Sequence, residues 1–174
     1  MSMQKEIRLS GSGGQGLILA GVILAEAAII DGKKAIQSQS YGPEARGGSS
    51  KAEVIISDEE IDFVKVQNCD MLLCLTQIAY DKYGKEFTKV LILDDSLKTK
   101  YPEPEKVVRI PILDTASEKL GKPMVANIVA LGAVNGLLKL VSKEALLEAV
   151  TNRVPKGTEE LNKLALESGY ELAG

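Results

Sequence analysis

Apolar positions along the first third of the chain switch between two periods. Gln4 to Ser10 has the pattern of a short strand, and from Gln15 to Ile30 the positions Leu17, Ile18, Ala20, Gly21, Ile23, Leu24, Ala27 and Ala28 recur at helical spacing. Asp31-Gly32 supplies the stop for that helix. Lys34 to Ser40 reads as a second, less hydrophobic strand. Lys51 to Ser57 reads as a third, in which Ala52, Val54 and Ile56 alternate with Lys51, Glu53, Ile55 and Ser57. The stretch between them has no helical period and is about ten residues long, short of the dozen or more that a parallel crossover needs. Strands two and three are therefore predicted to be antiparallel or joined by a wide loop.

Asp58 to Val66 carries a helix start, with Asp58 as cap over Glu59, Glu60, Ile61 and Val64. A strand comes next at Asp70 to Thr76, where a short helix begins. Lys89 to Asp94 is an almost unbroken apolar run, the mark of a strand buried on both faces, and Lys106 to Ile112 gives one more strand. After Asp114 the pattern is helical: Thr115 to Leu120, Val125 to Val141, Ser142 to Val150 and Thr158 to Ser168, with Pro155-Lys156-Gly157 as a connector. The fold class these elements predict is α/β: a three-layer, Rossmann-like arrangement with a mixed, mostly parallel sheet and a helical C-terminal third. The length of 174 residues fits one domain, 1–174.

Composition narrows the function. A net charge of −3, with basic residues scattered among acids, argues against a nucleic-acid surface. No apolar run approaches the roughly 20 residues that span a bilayer, and the charged N-terminus is unlike a signal peptide, so a cytoplasmic protein without a membrane partner is expected. The chain has no histidine, hence no imidazole base, ligand or nucleophile partner. Cys69 and Cys74 flank an apparent strand and are expected to be structural thiols, not metal ligands. No residue is assigned as catalytic or as holding a metal.

Two glycine-flanked segments carry the candidate chemistry. Gly11, Gly13 and Gly16 satisfy G-x-G-x-x-G between a strand and a helix, where N-terminal amides can receive an anion. A nicotinamide dinucleotide would also want an acid at the tip of the second strand, which reads Gln37-Ser38-Gln39-Ser40; Asp31 has near the right spacing but ends the helix. The competing reading is a structural turn in which Gly13 and Gly14 permit positive φ while Gly16, Ala20 and Gly21 let the helix approach the sheet. The second segment, Tyr41-Gly42-Pro43-Glu44-Ala45-Arg46-Gly47-Gly48, offers one guanidinium for a carboxylate or phosphate, or else an Arg46–Glu44 pair on a surface loop. Asp94-Asp95 lies at a strand end, where ligands gather in open α/β sheets, but its commoner use is to end the strand and cap the next element. The stripe Ile128, Leu131, Val134, Leu138 and Val141 is core or partner contact.

Taken together, Gly11 to Gly16 before an Ala-Gly-rich helix, Gln37 to Gly48, Val54 to Ser57 and the Asn-x-x-x-Leu-Gly pattern within Asn127 to Gly136 resemble the gamma subunits of 2-oxoacid:ferredoxin oxidoreductases and the corresponding domain of single-chain pyruvate:ferredoxin oxidoreductases. The resemblance covers essentially the whole chain, and the Tyr41 to Gly48 loop is most like the 2-oxoglutarate type. It implies a subunit of a larger enzyme: alpha and beta subunits as partners, with or without a delta subunit, thiamine diphosphate, magnesium and iron–sulfur clusters held by those partners, and no cofactor held firmly by this chain. The assembly would decarboxylate a 2-oxoacid oxidatively, form an acyl-CoA from CoA and reduce ferredoxin. The residues carried over as binding positions are Gly13, Gly14, Gln15 and Gly16 in the turn and Tyr41, Glu44, Arg46 and Gly47 in the loop. An independent nucleotide-binding oxidoreductase and a non-catalytic regulatory module are the alternatives. An obligate subunit is further expected to expose an apolar patch on its C-terminal helices.

Overall fold

Residues 3–39, 48–86 and 88–174 are described by a computed structural model. In chain order the elements are β1 (Gln4–Ser12), α1 (Leu17–Ile30), β2 (Lys34–Gln39), β3 (Ser49–Ser57), β4 (Met71–Cys74), α2 (Gln77–Tyr83), β5 (Val90–Asp94), β6 (Lys106–Ile110), α3 (Ile112–Asp114), α4 (Ala126–Leu138), α5 (Lys143–Arg153) and α6 (Glu159–Ala173). A π-helical turn at Thr115–Lys119 continues α3, and a 3-10 turn at Pro123–Val125 precedes α4. The strands form one sheet in the order β2-β3-β1-β4-β5-β6. β3 lies antiparallel between β2 and β1, the first of the two arrangements its short connection to β2 suggested, and β1, β4, β5 and β6 are parallel. Among the described residues no helix is long and apolar enough to cross a membrane.

The two faces of the sheet are covered unequally. Ile7, Leu9, Val54, Ile56, Met71, Leu73 and Ile92 point into the main core, where α1, α4 and α5 pack with the inner edge of α6. The opposite face holds a smaller cluster in which Leu72, Cys74, Leu91 and Leu93 meet Ala79, Tyr80 and Tyr83 of α2. α1 sits close to the sheet because Gly21 carries no side chain: a Cβ there would lie 3.1 Å from that of Ala52. The stripe Ile128, Leu131, Val134 and Val141 is core.

α4 and α6 run in parallel with their backbones touching. A Cβ on Gly132 would come 2.2 Å from the Leu166 carbonyl oxygen, and one on Gly169 would come 2.1 Å from that of Val129. Gly136 packs against Ala173 and Tyr170 one turn further along. Polar groups then tie the connections. Asn135 donates to the Val141 carbonyl and accepts from its amide, both at 3.0 Å, and also donates to the Tyr170 hydroxyl at 2.9 Å. Asp31 accepts from the Ser142 amide and hydroxyl at 2.6 and 2.7 Å, while Ser142 caps α5 through the Ala145 amide.

Three expectations are corrected. Residues 58–70 form no helix, because their polar groups have partners in β1. Asp58 accepts from the Met3 amide at 2.7 Å, and the Glu6 carboxylate accepts from the Gln67 and Asn68 amides at 2.7 and 3.3 Å. The long helix expected to reach Val141 stops at Leu138, where Lys139 takes a left-handed conformation with φ 52°. The last helix runs on to Ala173.

Candidate functional site

The order of the strands places a switch point between β1 and β4. β1 leads through α1 toward β2 on one side, whereas β4, β5 and β6 extend the sheet on the other. Crevices at such points, outside the C-terminal ends of the parallel strands, are where open α/β sheets bind ligands. The glycine turn lies there, between Ser12 at the end of β1 and Leu17 at the start of α1.

Each glycine in the turn has its own reason. The Gln15 amide donates to the Ser12 carbonyl at 3.2 Å, and the Gln15 side chain folds back so that its Oε1 accepts from the Ser12 amide at 2.8 Å. That side chain fills the place of a Cβ on Gly11, which would lie 2.2 Å from Oε1. Gly16 has φ 71°, the left-handed conformation, and its carbonyl accepts from Asn127 Nδ2 at 3.1 Å. Asn127 is buried at the start of α4, so a second helix holds the turn. Positive φ therefore belongs to Gly16 and not, as expected from sequence, to Gly13 or Gly14. Those two are exposed, and a Cβ on Gly14 would touch nothing within 4 Å.

The exposed rim of the turn faces the positive end of α1, which has no side-chain cap and no acid in its first turn. This is an arrangement that can receive an anion, with the Ser12 amide already used internally. Gln37, near the tip of β2, turns toward Gly21 of α1, and the tip carries no acid for a ribose. Gly16→Ala is expected to lower stability by about 2–3 kcal/mol, from left-handed strain and displacement of Asn127, whose Nδ2 would stand 2.6 Å from the new Cβ. Thermal denaturation checks this, and Gly14→Ala should melt like the parent.

Tyr41, Glu44, Arg46 and Gly47 lie outside the described residues. The anchors of their loop do not: Gln39 and Gly48 flank the turn, since Ser49 pairs with Ser12 and Ala52 with Gln39. The structure thus brings the glycine turn and the two anchors of that loop to one end of the sheet. Asp94, in contrast, is tied up. Its carboxylate accepts from the Ser96 amide and hydroxyl at 3.1 and 2.5 Å and from the Leu113 amide at 2.8 Å, so it closes β5 and starts α3.

The two thiols are protonated at neutral pH. Burial pushes Cys69 up to about 11 and Cys74 up to about 12. Cys69 donates to the Met71 carbonyl at 3.0 Å, and Cys74 meets the Ser10 hydroxyl at 3.4 Å. Among the described residues no three His, Cys, Asp or Glu side chains converge as metal ligands.

Sequence reasoning missed a buried charge cluster beneath α2. Arg8 donates through Nε to Glu53 at 2.8 Å and through a terminal nitrogen to Glu86, with both Arg8 and Glu53 side chains 9% exposed. Lys51 stands 3.6 Å from Glu53, and the Tyr83 ring lies 5.8 Å from the Arg8 guanidinium carbon. The available signal was Arg8 between Ile7 and Leu9, which the antiparallel register sets opposite Glu53.

Known proteins share this outline. The profile of the pyruvate ferredoxin/flavodoxin oxidoreductase family matches residues 6–172. The chain is 56% identical to the 2-oxoglutarate synthase subunit KorC of Methanocaldococcus jannaschii, over 99% of this chain and 96% of that protein. It is 30% identical to the ketoisovalerate oxidoreductase subunit VorA of Methanothermobacter thermautotrophicus, where 96% of this chain covers only 36% of the longer protein. The crystal structure of a keto/oxoacid ferredoxin oxidoreductase gamma subunit from Geobacter sulfurreducens superposes with a TM-score of 0.86 at 54% identity, covering 97% of this chain and 98% of that one.

Proposed function

The chain belongs to the pyruvate ferredoxin/flavodoxin oxidoreductase family, and from that premise we propose that it is the gamma subunit of a 2-oxoglutarate:ferredoxin oxidoreductase. The observation that carries the reading is 56% identity from end to end with a 2-oxoglutarate synthase subunit of the same length class. The reaction is oxidative decarboxylation of the 2-oxoacid in the cytoplasm, with acyl-CoA formed and ferredoxin reduced. Thiamine diphosphate, magnesium and iron–sulfur clusters belong to the alpha and beta partners, with or without a delta subunit. This chain's own donors do not fit an iron–sulfur cluster: it has two cysteines, both burial-shifted, where a cluster wants four thiolates, and it has no histidine.

What the chain supplies is a fixed anion-receiving turn and an adjoining loop. Gly13, Gly14, Gln15 and Gly16, with Tyr41, Glu44, Arg46 and Gly47, face the path of CoA or the neighbouring subunit beside the active site. The exposed rim of the turn at the unneutralised N-terminus of α1 supports this, as do the anchors of the 40–47 loop at its flank. A group that only positions an anion needs no proton-transfer residue, consistent with a chain that has no imidazole.

Anoxic purification of the tagged chain from its own cells tests the reading. The eluate is expected to be brown and to reduce viologen with CoA and 2-oxoglutarate, faster than with pyruvate or branched 2-oxoacids. Arg46→Ala in that complex should weaken apparent affinity for CoA or 2-oxoacid. A colourless, inactive chain without partners would overturn the function; unchanged affinities with normal assembly would overturn the role of Arg46.

A further inference from the structure

The end of the sheet away from the glycine turn gathers features that the fold itself does not use. β1 begins there, with the Met3 amide on Asp58, and α1 finishes there with Ile29 59% and Ile30 40% exposed. The irregular 58–70 segment crosses the same end, linked to β2 by the 3.1 Å Lys34–Glu60 pair, and holds Phe63 and Val64 62% and 61% exposed. Four of the seven exposed large apolar side chains among the described residues are thus at this end. On the C-terminal helices, where the sequence pointed to such a patch, only Leu164 among the described residues is of this kind.

The segment that presents Phe63 and Val64 is tied to β1 and the residue before it at both ends. Glu6 gathers the Gln67 and Asn68 amides, its own amide donates to Asp70 at 2.8 Å, and Asp58 exchanges hydrogen bonds with Met3. Two adjacent apolar side chains on a segment tied at both ends lose less freedom on docking than they would on a free chain, which favours them as an anchor.

Chain geometry identifies the occupant. α6 runs parallel to α4 and ends beside Gly136, so that Gly174 lines a cavity of about 310 Å³ with Asn135, Gly136 and Lys139. The end of α4 in turn lies over the beginnings of β1, β4 and β5, where Leu138 and Leu140 face Lys5, Met71 and Val90. Both Met3 and Gly174 are therefore at the end that carries Phe63. In the longer ketoisovalerate oxidoreductase subunit the matching region is joined to nearly twice its length of further polypeptide. Whichever side the join is on, that polypeptide leaves the domain at this end.

We propose that this end, with Phe63 and Val64 as the anchor, docks the subunit that corresponds to the remainder of the longer relative, through an apolar pocket on that subunit. The assignment rests on the chain being an oxidoreductase subunit. It is tested by coexpressing the tagged chain with the other subunits of its complex and measuring how much of them it retains.

Phe63→Asp with Val64→Asp is expected to leave the melting of the isolated chain unchanged, since both side chains are exposed, and to reduce retention at least about 30-fold. Leu164→Asp, on the outer side of α6, should retain partners like the parent. Hydrogen exchange on the parent complex reads the same surface without substitution: amides of 58–70 should slow relative to the isolated chain. If the parent retains no 2-oxoacid oxidoreductase subunit, the functional reading fails and the docking assignment with it. If the parent retains them and the double variant does so equally, or if 58–70 exchanges unchanged, the docking assignment alone is overturned. The same holds if the pair instead mediates self-association, seen as a parent dimer that becomes a monomer in the double variant with retention intact.

Discussion

Gly169→Ala is expected to destabilise the protein by about 3 kcal/mol or more, a fall in melting temperature of roughly 6–12 °C for a chain of this size. Two effects oppose each other. Alanine in a helix interior is favoured over glycine by about 1 kcal/mol, which alone would raise stability. Against it stands a new Cβ only 2.1 Å from the Val129 carbonyl oxygen and 2.7 Å from the Ala133 amide nitrogen, both backbone atoms. No rotamer change relieves a clash with backbone. α6 must shift from α4, loosening the contacts of Leu166 and Tyr170 and the Gly136–Ala173 approach together, so the steric cost wins. Gly132→Ala meets the Leu166 carbonyl and should behave alike. Calorimetry on the isolated chain checks both, and a melting temperature at or above that of the parent would show the helices free to separate cheaply.

Arg8→Met is the second large effect, at about 3–5 kcal/mol, because it leaves Glu53 buried with Lys51, 3.6 Å away, as its remaining cation. Glu86 matters less, with its side chain 52% exposed and hydrated. Burial opposes the charged guanidinium, yet the Glu53 hydrogen bond and charge outweigh it and hold the Arg8 pKa above its usual value. Arg8 therefore stays charged across the working pH range and brings no pH dependence of its own. Replacing both residues, Arg8→Met with Glu53→Leu, should recover most of the loss, since a buried ion pair is often no more stable than an apolar pair of similar volume. Urea denaturation of the two singles and the double completes the cycle, and additive losses would mean the pair is not the coupled unit its 2.8 Å geometry describes.

Periodicity was a reliable guide wherever burial alone decides. The apolar positions of α1 other than Ile18, the apolar members of β3 and the unbroken run of β5 appear in the core they implied. It failed where a distant polar partner overrode local preference. Asp58 resembles a helix cap, but its carboxylate is taken by Met3, and Glu6 takes amides from Gln67 and Asn68, more than 60 residues away in sequence. Glu53 falls among the alternating partners of Ala52, Val54 and Ile56, and spacing alone does not show that it is buried, with Arg8 as its partner. In the turn, the glycine motif located the site but not the roles of its members. The fold-back of Gln15 over Gly11 and the reach of Asn127 to Gly16 are side-chain placements that spacing does not encode.

The parallel contact of α4 with α6 also bears on how the chain folds as it is made. The apolar side of α4 is completed by residues 159–173, and the backbone approach at Gly132 and Gly169 leaves no room for a substitute. During synthesis at about 5–20 residues per second, β1 to β6 and α4 have emerged before the element that finishes their core. For those seconds the nascent chain displays Val129, Gly132 and Ala133 to its surroundings, and it is then that a holdase chaperone would have most to shield.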